Sequence, residues 1–365
     1  MNFAGAAAVL SEGIAARAFP AAVVEVGSAE HVIWRRAFGA LTYDTGAPPV
    51  DEHTIFDLAS LTKAVVTGTL AMRAVDAGTL RIGDPVAQWL PAWRGGDREH
   101  VTIADLLAHA SGLPAYLPYY RNCTGRAEFE AEICSTALEY APRTAAIYSD
   151  LGFILLGFVL EDAEARRTAS LRPPGTLAPA ASLAAQFRTI ASYVSADPLT
   201  FTPRRDLRDR IAPTEFDRWR GRLLAGEVHD ENAWALGGIA GHAGLFGTVP
   251  AVGGFARAAL RTIRGDRILA DPGTFRAFMR RTDVPGSSRA LAWDTMLPTS
   301  SCGTKLSATA IGHTGFTGTS LWIDWERDFY VVLLTNRVHP TRENDRIRAI
   351  RPRVHDAIVD ALDRG

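Results

Sequence analysis

Ser60 and Lys63 are the residues of this 365-residue chain whose types and spacing most directly suggest chemistry. They lie three positions apart in the stretch Phe56–Val65, where an apolar approach leads into the first turn of a predicted helix. On a helix this spacing places both side chains on one face, one turn apart. An amine beside a hydroxyl can take its proton, so that the oxygen attacks a carbonyl carbon. The pair predicts a serine nucleophile of the Ser-x-x-Lys type used in acyl transfer.

The rarity of lysine gives this pair further weight. Of the 39 basic residues only Lys63 and Lys305 are lysines, and the others are arginines. Arginine stays protonated in proteins, whereas lysine can lose its proton where the surroundings favour the neutral form. A lysine beside Ser60 therefore suggests a need for deprotonation. The alternative is a half-buried helix lysine without a chemical role, because such a pair arises by chance in roughly one such chain in ten.

Composition and charge limit the classes of partner. The net charge of −1 leaves no basic surplus for phosphates, so nucleic acid is not expected as a partner. No stretch reaches about 18 apolar residues, so no membrane span is expected either. The three cysteines show no metal-like spacing, and residues 3–10 do not resemble a signal peptide. We therefore expect a cytoplasmic protein with free thiols, or a periplasmic one if a leader was removed.

Predicted strands lie at both ends of the chain, and predicted helices lie between them. A hairpin is expected at Ala21–Val26 and His31–Phe38, and a helix is expected to close the chain at Thr341–Asp363. The other predicted strands are Leu291–Met296, Ile311–Gly315, Thr319–Trp325 and Phe329–Asn336.

The predicted fold class is therefore α+β, with one antiparallel sheet flanked by terminal helices and an inserted all-α lobe. Residues 1–78 and 289–365 would form the α/β lobe, and residues 79–288 would form the all-α lobe. A cleft between two lobes is where a binding site is expected.

Two further groups could contribute to such a site. Tyr148 precedes an apolar helix and could present its phenol into the cleft, or it could simply pack between the lobes. His313 lies in a glycine-rich strand, and glycine allows a ligand or a second backbone to approach closely. The alternative is a buried strand histidine with a structural partner. His229 and His242 flank several carboxylates, but their spacing fits no standard zinc motif. No metal and no cofactor are therefore predicted, and metal-dependent hydrolysis is the weakest of the alternatives.

In this order and spacing the motifs resemble the serine β-lactamase and penicillin-binding-protein superfamily. The resemblance is strongest to the class C β-lactamase-like branch, which includes D,D-peptidases, D-aminopeptidases and family VIII esterases. Ser60–Lys63 matches the first motif, and Leu106–Pro114 is similar to a structural signature of the branch. Tyr148–Asp150 stands where the family has Tyr-x-Asn, and His313–Gly315 stands where it has Lys-Thr-Gly. The resemblance covers nearly the whole chain.

The resemblance implies a role for each matched residue. Ser60 would be the nucleophile and Lys63 its hydrogen-bonded base, while Tyr148 would carry protons to the leaving group and later activate water. The backbone N–H groups of Ser60 and Phe316 would form the oxyanion hole. The residues expected to bind the substrate are Asp150, His313, Thr314 and Gly315.

Two departures from the family pattern change the charges around Lys63. An ionised Asp150 beside Lys63 would hold the lysine protonated and oppose its role as a base. Asp150 could point away, Tyr148 could take the role of base, or the Asp–Lys pair could titrate as one coupled unit. His313 replaces a permanent cation, and a histidine with an ordinary pKa of about 6.5 is mostly neutral above that pH. We therefore expect activity on carboxylate-bearing substrates to fall between about pH 6 and 8.

The predicted function is that of a serine acyl-transfer hydrolase that cleaves an ester or amide through a Ser60 acyl-enzyme. Esterase or D-amino-acid peptidase activity is favoured, with weak or no β-lactamase activity, on a small-molecule or short D-peptide or ester substrate. The alternative is a non-catalytic penicillin- or D-peptide-binding protein with a degenerate site. The sequence predicts neither the substrate, since it depends on loops in 116–146 and 167–230, nor the oligomeric state.

Overall fold

The computed structural model describes residues 1–170 and 181–365, so that residues 171–180 of the Ala/Pro/Arg-rich segment 167–200 lie outside the described residues. The helices are α1 (Ala4–Ala15), α2 (Thr69–Asp76), α3 (Val86–Trp89), α4 (Ile103–Leu107), α5 (Gly125–Ser135), α6 (Asp150–Ser170), α7 (Leu183–Val194), α8 (Glu231–Ala235), α9 (Val249–Arg264), α10 (Pro272–Phe278) and α11 (Ile347–Asp363). The strands are β1 (Ala21–Gly27), β2 (Val32–Gly39), β3 (Phe56–Asp57), β4 (Leu199–Phe201), β5 (Phe216–Asp217), β6 (Arg222–Leu223), β7 (Leu245–Gly247), β8 (Asp294–Thr295), β9 (Ile311–Thr314), β10 (Ser320–Asp324) and β11 (Phe329–Thr335). Among residues 1–170 and 181–365, no helix has the length and apolar character needed to cross a bilayer.

The main sheet joins the two ends of the chain. Its strand order is β2-β1-β11-β10-β9-β8, and every neighbouring pair is antiparallel. Strand β1 lies between β2 and β11, with Val24 opposite Arg36 on one side and Leu333 on the other. The predicted α+β fold, with an antiparallel sheet built from both termini, is therefore confirmed.

Both faces of this sheet are covered, which explains why β1 and β11 are buried along their whole length. Side chains alternate across a strand. Val24 and Leu333 therefore pack on one face with the terminal helices α1 and α11. Val23 and Leu334 belong to the larger core on the opposite face, which includes α9. A sheet buried on two faces needs continuous apolar runs rather than alternation.

The middle of the chain contains short strands as well as the predicted helices. Strand β3, which leads to Ser60, pairs with β7, and β7 pairs with β4, while β5 and β6 form a separate hairpin. These strands are two or three residues long, too short to show a period-two pattern. The division into lobes at residues 78/79 and 288/289 stays a prediction.

Two boundaries near the cleft bear on the site. The helix after Ser60 runs to Asp76 and ends before Gly78, and its first part, Lys63–Gly68, is π-helical. Widened turns of this kind are frequent at functional sites. At the other end of the chain, α11 begins at Ile347 rather than at Thr341, which leaves residues 341–346 as a loop beside the cleft.

Candidate active site

Ser60 lies in a sharp turn between β3 and the following helix. Ala59 adopts a left-handed conformation with φ +47°, which is uncommon for a residue with a side chain. The buried carboxylate of Asp57 holds this turn, because it accepts the N–H of Ala59 at 2.8 Å and the N–H of His229 at 2.7 Å. Strained backbone of this kind is kept only where the surrounding structure enforces it. The turn directs Ser60 into a cleft of about 500 Å³.

The ammonium group of Lys63 connects Ser60 to Asp150. Lys63 Nζ donates to Ser60 Oγ at 3.0 Å, to Asp150 Oδ1 at 2.6 Å and to the backbone carbonyl of His242 at 3.1 Å. Lys63 is fully buried, and these contacts use all three of its protons. Asp150 is the first residue of α6, and its carboxylate faces Lys63. The possibility that Asp150 points away is therefore wrong.

These neighbours fix the protonation of the pair. Burial alone would lower the pKa of Lys63, but the charges and hydrogen bonds of Asp150 and Tyr148 outweigh it, so the pKa is raised above 10.5. Burial is also the main reason why the pKa of the Tyr148 phenol is raised, although Lys63 opposes the rise. At neutral pH the site therefore contains a lysine ammonium and a neutral phenol.

Tyr148 lies in a pocket of rings and cations. Its ring centre lies 4.6 Å from that of His109 and 5.8 Å from that of His313. The Arg289 guanidinium lies 5.0 Å from the same ring, and Lys63 Nζ lies 4.8 Å from it. Sequence reasoning missed His109 and Arg289. His109 was part of a segment interpreted as a structural signature, and Arg289 lies in a loop and carries no motif.

His109 fixes the entrance to α6. Its Nδ1 accepts the N–H of Ser149 at 3.0 Å, which requires that this nitrogen be unprotonated. Burial, together with the charges of Arg289 and Lys63, holds the pKa of His109 well below 6.5. His109 is therefore a neutral ring with a fixed tautomer, and it positions the backbone that carries Tyr148 and Asp150.

His313 is a buried strand histidine with a structural partner, and its titration differs from the one expected. It lies buried in β9, and its Nδ1 donates to the Thr314 carbonyl at 2.9 Å. Burial, followed by the charges of Arg289 and Lys63, holds the pKa of His313 well below 6.5. His313 is already neutral at pH 6, so the expected fall in activity between about pH 6 and 8 from its titration is wrong. The positive charge near His313 in the cleft belongs to Arg289, whose guanidinium lies 3.6 Å from the Asp294 carboxylate.

Two backbone N–H groups are available for an oxyanion. Within residues 1–170 and 181–365, the N–H groups of Ser60 and Phe316 donate to no protein acceptor, and both residues line the cleft. The turn after β9 is tied to the Ser60 turn by two hydroxyls. Thr317 donates to the Asp57 carbonyl at 2.7 Å, and Thr319 donates to the Leu58 carbonyl at 3.0 Å.

Gly315 is needed for this close approach. A Cβ at this position would lie 2.1 Å from Thr319 Oγ1 and 2.5 Å from the Leu58 carbonyl oxygen. Both distances are far below van der Waals contact, so only glycine fits without moving β9 away from Ser60. Gly315 and Thr314 both line the cleft, next to Phe316.

His229 and His242 each contact a different carboxylate. His229 Nε2 lies 2.9 Å from Glu215, and His242 Nε2 lies 2.8 Å from Asp230. The described part of the chain brings together no group of three or more histidine, cysteine, aspartate or glutamate side chains suited to a metal. The two pairs instead support the turns around the cleft, since His229 stacks on Phe316 and the His242 carbonyl accepts a proton of Lys63.

Comparison with known proteins identifies relatives over nearly the whole chain. A family profile described as Beta-lactamase matches residues 6–354. A Salmonella gallinarum protein named "Putative D-alanyl-D-alanine carboxypeptidase" is 30% identical over 362 aligned residues, which cover 87% of this chain and 78% of that protein.

Solved structures share the fold at lower identity. EstCE1, described as a hydrolase with promiscuous acyltransferase activity, superimposes with a TM-score of 0.73 at 20% identity over 98% of both chains. A class C β-lactamase from Rhodobacter sphaeroides gives a TM-score of 0.73 at 19% identity, over 98% of this chain and 99% of that one. At this identity the likeness concerns the fold alone.

Proposed function

The chain belongs to the Beta-lactamase family, and from this premise we propose that it is a serine acyl-transfer hydrolase whose nucleophile is Ser60. The observation that carries the proposal is the buried Lys63 ammonium, which contacts Ser60 Oγ at 3.0 Å and Asp150 Oδ1 at 2.6 Å. A hydroxyl held against such a pair has a route for its proton, which a serine nucleophile requires.

In the proposed first step, Lys63 relays the proton of Ser60 to Asp150. Lys63 Nζ first gives a proton to Asp150 Oδ1, and the neutral amine then takes the proton of Ser60 Oγ as this oxygen bonds to the substrate carbonyl carbon. Lys63 is again an ammonium, Asp150 has become a carboxylic acid, and the carbonyl electron pair has moved onto the oxygen. Asp150 is therefore the net base, which agrees with the raised pKa of Lys63. The N–H groups of Ser60 and Phe316 would stabilise the oxyanion.

Tyr148 completes the proposed cycle as the acid for the leaving group. When the tetrahedral intermediate collapses, the leaving oxygen or nitrogen takes the bond electrons and the phenolic proton of Tyr148. Tyr148 regains a proton from Asp150 through the neighbouring Lys63. Water then attacks the acyl-enzyme carbonyl and gives a proton through Lys63 to Asp150. When this intermediate collapses, Ser60 Oγ leaves with a proton from Lys63, and Asp150 returns its proton to Lys63. The raised pKa of Tyr148 keeps the phenol protonated and ready to donate.

For the substrate, we propose an ester or a short D-amino-acid amide rather than a β-lactam. The carboxypeptidase name of the Salmonella relative and the hydrolase description of EstCE1 support this choice. The neutral His313 in place of the family's lysine argues against efficient recognition of a β-lactam carboxylate.

For the location, we propose the cytoplasm. The three cysteines are buried and free, which supports this proposal.

A substrate panel tests this function. Short-chain p-nitrophenyl esters, a D-alanyl-D-alanine peptide and nitrocefin are each followed for turnover by the wild type and by Ser60→Ala. We expect hydrolysis of an ester or the peptide that is lost in Ser60→Ala, with nitrocefin slowest. Binding of the peptide without turnover of any substrate would instead identify a non-catalytic binding protein, and nitrocefin as the best substrate would contradict the proposed substrate class.

A further inference from the structure

Three aromatic rings that contact one another lie at the protein surface. The ring of Trp219 is centred 4.6 Å from that of Tyr120 and 5.3 Å from that of Trp234, in edge-to-face arrangements. Trp219 is 46% exposed and Trp234 is 37% exposed, while the other tryptophans of the described residues are buried or half-buried. We call Tyr120, Trp219 and Trp234 the ring cluster. Contiguous exposed apolar groups of this kind mark a binding surface.

The ring cluster is held in place without a ligand. Trp219 lies in the turn between β5 and β6, and its N–H donates to the buried Asp217 carboxylate at 2.7 Å. The indole N–H of Trp234 donates to Glu227 Oε2 at 2.9 Å. The Arg220 guanidinium lies 6.0 Å from the ring of Trp219 and 5.9 Å from that of Trp234. Because the rings are already ordered, covering them with a ligand costs little conformational entropy.

The ring cluster continues the lining of the cleft along two segments. Tyr116 and Glu231 line the cleft that contains Ser60. Tyr120 follows Tyr116 by four residues, and Trp234 lies one turn beyond Glu231 on α8. The Asn232 side chain joins the two segments, because it accepts the N–H of Tyr120 at 2.9 Å and donates to a carbonyl of the same loop at 2.9 Å. A substrate held at Ser60 can therefore extend from the cleft onto the rings.

The charged groups near the ring cluster favour an uncharged ligand. Most of them are paired with one another, so they offer no free charge to a ligand. The pairs are Arg220 with Asp217, Arg222 with Glu227, and Arg342 with both Glu215 and Glu231. Arg121 and Arg218 are exposed to solvent, where water and salt screen their charge. An ion would therefore gain little here, whereas an apolar group would cover the exposed indole rings.

We propose that the ring cluster is a subsite for an uncharged alkyl chain on the non-reacting part of the substrate. Hydrocarbon is stabilised by leaving water and needs no polar partner, and aromatic rings supply a large apolar contact area. The chain leaves the cleft past Tyr116, whose side chain is 41% exposed, and lies across the three rings. The assignment of the chain to a substrate rests on the proposed function, whereas the binding itself does not require Ser60 chemistry.

Binding of n-octyl β-glucoside to the Ser60→Ala protein tests the subsite without turnover. Trp219 and Trp234 are the exposed tryptophans of the described residues, so acrylamide should quench their fluorescence most. Below its micelle concentration the octyl compound should reduce this quenching by about half, because the alkyl chain covers the indole rings. Methyl β-glucoside, which has the same sugar without the chain, should not. Equal protection by both glucosides, or protection by neither, would overturn the proposal.

Two variants show whether the chain lies on the ring cluster. Tyr120→Ala removes one ring and leaves both exposed tryptophans in place, so the protection should be lost while the fluorescence is still measured. Tyr193→Ala is the control and should keep the protection, because Tyr193 is also 46% exposed but lies in α7 and does not line the cleft. Unchanged protection in Tyr120→Ala, or an equal loss in both variants, would contradict the proposal.

A series of esters connects the subsite to turnover. The wild type and Trp219→Ala are compared on p-nitrophenyl octanoate and acetate, which place the chain on the acyl side, and on octyl and ethyl acetate, which place it on the leaving group. In one of these pairs the long-to-short ratio of kcat/KM should be about tenfold lower in Trp219→Ala, through a higher KM. An equal loss for short and long esters would show a structural role of Trp219, and unchanged ratios in both pairs would reject the subsite for the substrate.

The result is separable from the proposed function. Protection of Ser60→Ala by octyl glucoside together with no ester or peptide turnover by the wild type would reject the hydrolase and keep the alkyl site. Ser60-dependent turnover without this protection would reject the alkyl site and keep the hydrolase.

Discussion

Replacement of Asp150 by asparagine should lower kcat/KM for a p-nitrophenyl ester at neutral pH by about 10²–10⁴, the usual contribution of a general base. Asparagine keeps the size of the side chain and an oxygen that can accept from Lys63 Nζ. It cannot take up the proton of Ser60, and in the proposed relay that proton ends on Asp150. The loss should therefore appear in kcat with little change in KM, and it is measured by steady-state kinetics.

The pH profile of Asp150→Asn separates the two candidate bases. Asp150 raises the pKa of Lys63, so removal of its charge lowers that pKa and increases the fraction of neutral lysine as pH rises. The residual activity should thus rise with pH more steeply than that of the wild type. Activity at neutral pH that equals or exceeds the wild type would show that neutral Lys63 is the base and would contradict the relay.

The chain offers a matched control for this substitution. Lys305 and Asp360 form a second lysine–aspartate pair, which is solvent-exposed and includes a residue of α11. Asp360→Asn makes the same chemical change without touching the cleft, so kcat/KM should stay at the wild-type value.

Replacement of Gly315 by alanine should lower kcat/KM by about 10²–10³, the cost of losing one oxyanion donor. The added Cβ would lie 2.1 Å from Thr319 Oγ1 and 2.5 Å from the Leu58 carbonyl oxygen, and the second of these atoms is backbone. The end of β9 must therefore move away from the Ser60 turn, and the Phe316 N–H moves with it. Overpacking should also cost about 1–3 kcal/mol of unfolding free energy, read as a lower Tm.

Gly5→Ala is the control for Gly315→Ala. Gly5 lies in α1, and a Cβ there meets no atom within 4 Å. The control should keep full activity and gain slightly in stability, since alanine favours the helix. A folded Gly315→Ala protein with wild-type kcat/KM would show that the approach of β9 to Ser60 does not position the oxyanion donors.

The parts of the fold and site that the sequence predicted depend on short-range pattern. Ser60 and Lys63 are one helical turn apart, so their contact follows from local spacing alone. Strands β1 and β11 were predicted because their apolar runs are long, whereas β3 and β7, of two and three residues, left no pattern. The fold class was therefore predictable, but the small sheet that holds the Ser60 turn was not.

The unpredicted parts of the site depend on tertiary placement. Arg289 approaches Tyr148 from a segment 141 positions later in the chain, and no spacing rule connects them. The orientation of Asp150 toward Lys63 depends on how α6 enters the cleft. The neutral state of His313 depends on burial and on Arg289, so an ordinary pKa gave a wrong pH range.

The most direct test of the central claim is the intact mass of the protein after exposure to a fluorophosphonate. This reagent forms a stable bond with an activated serine oxygen, so the wild type should gain one adduct, located on Ser60 by peptide mapping. Ser60→Ala should gain none, and Lys63→Ala should label far more slowly because the proton route is gone. Equal labelling of the wild type and Ser60→Ala, or no labelling of either, would contradict the assignment of Ser60 as the nucleophile.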